Sequence, residues 1–268
     1  MENGITAVII GGGQSESLQA DGRSVPKSLA PVAGKPLLEH QLDWLKRAGI
    51  DSAVLCLDFQ PELVRARFGD GSAFGVRLRY SVTQEPRGSA GLVKGLGPAS
   101  LPDDVLVLFG GIFPQTDCAR MVRFHRGHSG LASLVLHECR PDQRAGAESC
   151  AGQGRRCART HGCSGEPVVL GPAQRIVEFP RYAAPGQACL ALSPLWVIRR
   201  ALFHFVPDGA ASDFVKDVFP AAVKAGESLL GYPETGLLAD LGSPERYERF
   251  VKSLGKGRGP RETAHGQA

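Results

Sequence analysis

The chain has 268 residues, 43% of them hydrophobic and 22% charged, so it can bury a large core and reads as an ordinary globular protein. Its formal charge of +4 comes from Lys and Arg scattered along the chain, which leaves no footprint for nucleic acid but suits a small anionic ligand. No apolar run reaches membrane-spanning length, MENGITAVII has no basic stretch ahead of its apolar run, and the odd count of seven cysteines reads as reduced thiols; a cytoplasmic protein that meets no membrane is expected.

The first apolar run, 6–10, stops on Gly11, Gly12 and Gly13. That is the outline of a strand feeding a phosphate-cradling loop. Yet Glu16 follows, and no Arg or Lys appears before Arg23, so the loop is shaped for phosphate and charged against it. GGGQSE lacks the third glycine of a dinucleotide fingerprint at its place, which argues against a dehydrogenase.

Further strands are expected at 52–57, 76–81 and 105–109. Between them, PLLEHQLDWLKRAG sets Leu37, Leu38, Gln41, Leu42, Leu45 and Ala48 at helical spacing before a stop at Gly49. PELVRARFGDG starts a helix on Pro61 and ends it on Gly69, with Arg65 and Arg67 as a solvated face. Two more helices are expected at 89–96 and 117–128, and a strand in LASLVLHE.

The pattern then dissolves. Residues 140–167 are rich in Gly, Arg and Cys without apolar periodicity and read as a long loop inserted in one domain. Cys150, Cys157, His161 and Cys163, with His137 and Cys139 upstream, lack any CxxC pair, so the stretch reads as solvated rather than zinc-binding. PVVL and QRIVEF are short strands, CLALSPLWVI an apolar run, SDFVKDVFPAAVKAG a helix, and 255–268 a disordered tail. The alternation gives an α/β fold, a mostly parallel sheet flanked by helices, in a single domain over 1–254. No GxSxG elbow or other nucleophile pattern is present.

Three stretches then stand in an informative order: VPKSLAPVAGKPLLEHQLDWLKRAGI, TQEPRGSAG and SDFVKDVFPAAVKAGESLLGYPETGLLADLGSPERYERF. Together the chain resembles the sugar-1-phosphate nucleotidylyltransferases (NDP-sugar pyrophosphorylases), most closely their mannose- or heptose-1-phosphate guanylyltransferase-like members, from about residue 5 to residue 250. The resemblance implies a Rossmann-like mixed sheet of the nucleotide-diphospho-sugar transferase type. It also implies a reaction in which a sugar-1-phosphate oxygen attacks the α-phosphorus of an NTP and pyrophosphate leaves, with Mg²⁺ neutralising charge.

It further implies roles for particular residues. Lys27 would reach the phosphates; Gly11, Gly12 and Gly13 would cradle them; Gln84, Gly88, Ser89 and Ala90 would contact base and ribose; Glu178 and Gln187 would meet the sugar; Asp240 would serve catalysis as a Mg²⁺ ligand. Read without the resemblance, Lys27 is a solvated loop lysine, Gly88 a turn glycine and Asp240 a helix cap.

Against the family pattern the losses fall where chemistry occurs. Ser17 stands for the loop arginine, Gly111 for the other metal-binding aspartate, Phe179 for the lysine that meets the sugar phosphate, and Gln187 and Cys189 for an Asn and a Gly. Asp117 is six residues past Gly111 and does not substitute. The expectation is a catalytically impaired member that binds a nucleotide or nucleotide sugar in a regulatory or partner role, as a homo-oligomer or beside an active paralogue. The alternative is a working Mg²⁺-dependent sugar-1-phosphate nucleotidylyltransferase with altered contacts.

Overall fold

The structure is a computed structural model and describes residues 4–11, 17–20, 23–139, 166–180, 189–234 and 239–255. In chain order the strands are β1 (Ile5–Gly11), β2 (Ser17–Ala20), β3 (Arg23–Pro26), β4 (Pro31–Val32), β5 (Lys35–Pro36), β6 (Ser52–Leu57), β7 (Arg77–Val82), β8 (Asp104–Phe109), β9 (Ile112–Phe113), β10 (Ala132–Cys139), β11 (Pro167–Leu170), β12 (Ile176–Glu178), β13 (Cys189–Arg199), β14 (Leu229–Pro233) and β15 (Ala239–Asp240). Helices α1 (Leu37–Arg47), α2 (Pro61–Phe68), α3 (Gly88–Lys94) and α4 (Cys118–Arg126) lie between them, followed by a helix at Phe219–Lys224 and a closing helix at Pro244–Gly255.

Among the described residues, one sheet runs in the order β12-β11-β13-β8-β1-β6-β7, with β10 on β13 and β14 on β10. It is parallel through β8, β1, β6 and β7, the half that the alternating apolar runs foretold. It turns antiparallel where β13 enters between β8 and β10, so the sheet is mixed.

Strand β1 is apolar without alternation because both its faces are covered. Ala7 and Ile9 join Leu106 and Leu108 under α1 and α4 on one face. Val8 and Ile10 join Val105 and Val107 on the other, where Trp196 packs its ring 5.6 Å from Phe109, 5.5 Å from Phe214 and 5.1 Å from Phe219. Burying such aromatic surface contributes roughly 2–3 kcal/mol per side chain.

The expected helix over SDFVKDVFPAAVKAG is divided: a π-type turn at Phe214–Val218 precedes the helix Phe219–Lys224. Pro220 lacks an N–H to continue the ladder, and the Asp213 carboxylate caps the turn by accepting from the Val215 and Lys216 amides. The expected loop at 140–167 lies outside the described residues as far as 165, and β11 begins on Pro167. The closing helix runs to Gly255, one residue into the expected tail, whose remainder also lies outside them. Among the described residues no helix is long and apolar enough to cross a membrane.

Candidate functional site

Parallel strands β1, β6, β7 and β8 all end at one edge of the sheet, the edge at which α/β folds bind ligands. Gly11 closes β1 there, half-buried, while Gly12 and Gly13 lie outside the described residues. The Gly110 amide donates to the Ile10 carbonyl at 2.8 Å, and a Cβ at Gly110 would stand 3.1 Å from the Gly11 Cα. The two glycine backbones therefore touch, and any side chain at 110 would push them apart.

The chain past β8 is held by a residue that the helical spacing of α1 hid. Gln41 is fully buried in the apolar stripe of α1, and its amide donates to the carbonyls of Phe109, Gly110 and Ile112, the last at 2.7 Å. Those carbonyls leave the sheet ladder at a buried turn, and a donor there removes a desolvation cost.

Gly111 and Asp240 lie in neighbouring registers of a small antiparallel pairing, Gly111 opposite Leu241. Strand β15 runs against β9 with Asp240 opposite Ile112, and the Leu241 amide donates to the Gly111 carbonyl at 2.7 Å. A Cβ at Gly111 would meet the Gly242 Cα at 3.3 Å. Asp240 is thus a strand residue, not the cap that a reading without the resemblance gives; Ser243 starts the closing helix, its hydroxyl accepting from the Arg246 amide.

Both carboxylate oxygens of Asp240 are engaged within the chain. Oδ2 lies 2.8 Å from Arg246 Nη1, and Oδ1 accepts the Gly242 amide at 2.7 Å. Gly242 is needed for that turn, since a Cβ there would stand 2.7 Å from Asp240 Oδ1 and 3.1 Å from Arg246 Nη2. Sequence reasoning missed Arg246; its one signal was an arginine where the closing helix begins, six residues after the aspartate.

These residues do not fit the Mg²⁺ centre that the resemblance implies. Mg²⁺ takes near-octahedral oxygen ligands and is bound through one or two carboxylates plus phosphate oxygens. Here one carboxylate is already neutralised by a guanidinium, and Gly111, where the resemblance would set the second, has no side chain. Among the described residues no group of three His, Cys, Asp or Glu side chains is placed to hold a metal ion. Asp117, six positions on, caps α4 by accepting the Arg120 amide at 2.9 Å.

Lys27 follows β3 in a short 3₁₀ turn and is buried, at 6% exposure, rather than the solvated loop lysine of the plainer reading. The segment that carries it packs Ala30 and Val32 with Phe113, Leu241 and Tyr247, and the Tyr247 hydroxyl donates to the Pro31 carbonyl at 2.6 Å. The β9–β15 corner, the closing helix and the Lys27 segment are therefore one packed unit.

Past the end of β7 Gln84 is exposed in the following loop, and Gly88 opens α3 at φ +66°. A Cβ at Gly88 would stand 2.4 Å from the Ser212 carbonyl oxygen, so this position requires glycine for packing as well as for conformation. The amides of Ala90 and Gly91 donate to that same carbonyl, and the buried Ser89 hydroxyl donates to Asp213 at 2.8 Å while accepting the Phe214 amide. The turn is thus fastened to the segment before the π-type turn.

Glu178 is exposed at the end of β12, and Phe179 after it stacks on Phe219 at 6.1 Å, packing against the core. Gln187 lies outside the described residues, as do Cys150, Cys157, His161 and Cys163. His137 Nδ1 is 2.9 Å from Ser193 Oγ; burial pushes this imidazole's pKa down, against the pull of the Asp240 charge. Cys56 and Cys118 are free and buried, and burial pushes the Cys56 thiol up to about 12.

The sequence model of the nucleotidyl transferase family matches residues 6–256, and the chain belongs to that family. Within it, the chain stands among the sugar-1-phosphate nucleotidylyltransferases, close to mannose- and heptose-1-phosphate guanylyltransferase homologues. It is 27% identical over 263 residues to the mannose-1-phosphate guanylyltransferase of Mycobacterium tuberculosis, covering 98% of this chain and 68% of that one. It is also 27% identical over 248 residues to the D-glycero-alpha-D-manno-heptose 1-phosphate guanylyltransferase of Aneurinibacillus thermoaerophilus, covering 92% of this chain and 97% of that one. The fold matches that of HddC from Yersinia pseudotuberculosis at a TM-score of 0.70 and 15% identity, over 93% of this chain and 99% of that one. HddC has also been solved in complex with GMP-PN, at a TM-score of 0.69.

Proposed function

We propose that this chain binds a nucleotide sugar, or the nucleotide alone, at the crevice beyond β1, β6, β7 and β8, and that it does not transfer nucleotidyl groups. The observation that carries this reading is the corner where Gly111, with no side chain, adjoins the turn that follows an Asp240 already paired with Arg246. Transfer chemistry of this family consists largely of charge stabilisation at the α-phosphate, and among the described residues no group of carboxylates gathers at this corner. On this reading Lys27 and Gly11 serve the phosphates, Gln84 and Gly88–Ala90 the base and ribose, and Glu178 the sugar, with Gly12, Gly13 and Gln187 assigned to the same roles by the resemblance alone. Such a protein acts as a regulatory subunit, pairing with its own copy or with an active relative in the cytoplasm.

The experiment is pyrophosphate release from the purified protein with Mg²⁺, across the common NTPs and mannose-, heptose-, glucose- and N-acetylglucosamine-1-phosphate, run beside thermal-shift titrations with the same ligands. Silence in the first with ligand-induced stabilisation in the second is the expected result. Release that depends on one NTP and one sugar phosphate, and vanishes in Asp240→Ala, would instead make the chain a working nucleotidylyltransferase.

A further inference from the structure

The Asp240 corner offers a ligand something other than a metal. Arg246 Nη1 is clamped to Asp240 Oδ2 at 2.8 Å, and its Nη2 lies over Gly242, 3.1 Å from where a Cβ would stand. Gly242 in turn borders Gly111, so the guanidinium, the carboxylate and the position without a side chain share one neighbourhood. The Arg246 side chain remains 34% exposed against 19% for Asp240, so the cation is the more accessible partner of the pair.

Two physical points follow. A guanidinium has five N–H donors in a planar fork, so one held by a carboxylate on one side still presents donors to a phosphate on another. A bare Asp240 would repel a diphosphate, whereas the clamped pair removes that repulsion without a divalent ion. A metal would have to displace the guanidinium from Asp240 and shed part of its own hydration shell, which Mg²⁺ does reluctantly.

We propose that Arg246, clamped by Asp240, is a phosphate-binding residue of this crevice, and that the chain binds the diphosphate of a nucleotide sugar without a divalent metal. This rests on the reading of the crevice as a nucleotide-sugar site. The guanidinium stands in for the cation of the family's chemistry. Being covalently part of the chain and fixed by Asp240, it supplies binding charge while leaving the α-phosphate without a Lewis acid.

The test is calorimetric titration of the full chain with GDP-mannose and with GDP, the product and nucleotide that the guanylyltransferase relatives' names define, in excess EDTA and again in millimolar Mg²⁺. Wild-type affinity for both probes should agree within about twofold between the two conditions. Arg246→Gln should weaken both probes by about tenfold to a hundredfold in EDTA, the loss of one charge-assisted contact. Arg246→Lys should recover part of that loss, since it restores charge without the fork; a merely structural role for Arg246 would give no such recovery. Wild-type binding that collapses in EDTA would overturn the proposal and leave the nucleotide-sugar reading standing, as would an Arg246→Gln protein that binds both probes as tightly as wild type. Absence of binding to either probe in both conditions would remove the reading itself and the proposal with it.

Discussion

Where β8 begins, Asp104 gathers His125 at 3.4 Å, Arg126 at 3.8 Å and Arg199 at 4.0 Å. Where β8 ends, Phe109 runs into Gly110 and Gly111, and Asp240, paired opposite Ile112 just beyond them, holds one arginine. At the first end Ser133 Oγ lies between His125 Nδ1 at 2.9 Å and His128 Nε2 at 2.8 Å, and Arg199 also donates to the carbonyls of Gly130 and His128. Most of its polar groups are partnered by one another across α4, β8, β10 and β13, which is the pattern of a structural network; the exception is His125 Nε2, which meets Asp104 only at ion-pair distance. The second end carries tightly packed backbone turns and one ion pair, with Gly110 and Gly111 too close to neighbouring backbone to admit a side chain without displacement. The two ends of one strand thus differ in kind: a charge cluster at one, close-packed glycines beside a single ion pair at the other.

The largest effect should come from cutting the first end at its hub. The His125 imidazole beside Asp104 holds that carboxyl below the usual carboxylate range, helped by Arg199 and Arg126. Asp104→Ala takes away the carboxylate that faces the fully buried His125 ring and the Arg199 and Arg126 guanidinium groups and should cost about 2–3 kcal/mol. In thermal unfolding that is a fall of about 5–10 °C. An equally large fall in Asp240→Ala would erase the contrast between the two ends.

A smaller effect tests the second end by refilling it. Gly111→Asp combined with Arg246→Ser sets two carboxylates at the corner and removes the guanidinium between them. The tight contact of the new Cβ with the Gly242 Cα, at 3.3 Å, should cost about 1 kcal/mol. In return the unfolding midpoint of this variant should rise with Mg²⁺, while that of the wild type should not move. A wild-type midpoint that rises with Mg²⁺ would show that the corner accepts the ion as it stands.

How much of this contrast could be read from the chain depends on sequence separation. Strands β1, β6 and β8 and helix α1 were legible because each is a continuous apolar run or a helical stripe. Strands of two residues, such as β9 and β15, have no periodicity to read, yet their pairing is what brings Gly111 beside Asp240. Arg246 was invisible as a partner because it reaches Asp240 by way of the Gly242 turn, not along one helix or strand face. Gln41 looked like one more member of an apolar stripe, and Phe179 like a substitution with no stated neighbour, until the turn after β8 and the ring of Phe219 were in place. The Asp104 network joins the start of β8, the end of α4 and the end of β13, and no spacing rule connects them.

The first end should also announce itself in pH. Burial pushes His128 down to about 4, with the charges of His125 and Arg199 acting in the same direction. Between the unfolded value of 6.5 and that folded value the unfolded chain binds more protons, so stability is full above about 6.5 and falls as pH drops towards 4. His137, also pushed down by burial, adds to the same slope. With its partial exposure allowed for, the His128 share is about 1 kcal/mol. Midpoints measured from pH 7 to pH 5 should fall in the wild type and fall less in His128→Gln, which keeps a nitrogen near Ser133; identical slopes would mean that His128 is solvated like an ordinary surface residue.

The smallest effect serves as the control on Arg246. The closing helix carries a second ion pair, Lys252 Nζ to Glu248 Oε2 at 3.2 Å, but its members are 74% and 65% exposed. Exposed pairs spaced in this way contribute little, because water screens them and ordering two long side chains offsets the attraction. Lys252→Ala should therefore change stability by less than about 0.5 kcal/mol. It should leave GDP-mannose binding where it was, since Lys252 lies six residues, nearly two turns, along the helix from Arg246. The two arms separate fixed charge from charge in general: both variants remove one positive charge from the same helix, so long-range attraction of an anion would weaken in each. Loss confined to Arg246→Gln would assign the effect to a guanidinium held by Asp240 beside Gly111, whereas equal losses would mean that the helix attracts the ligand by its net charge alone and that the corner has no special part in binding.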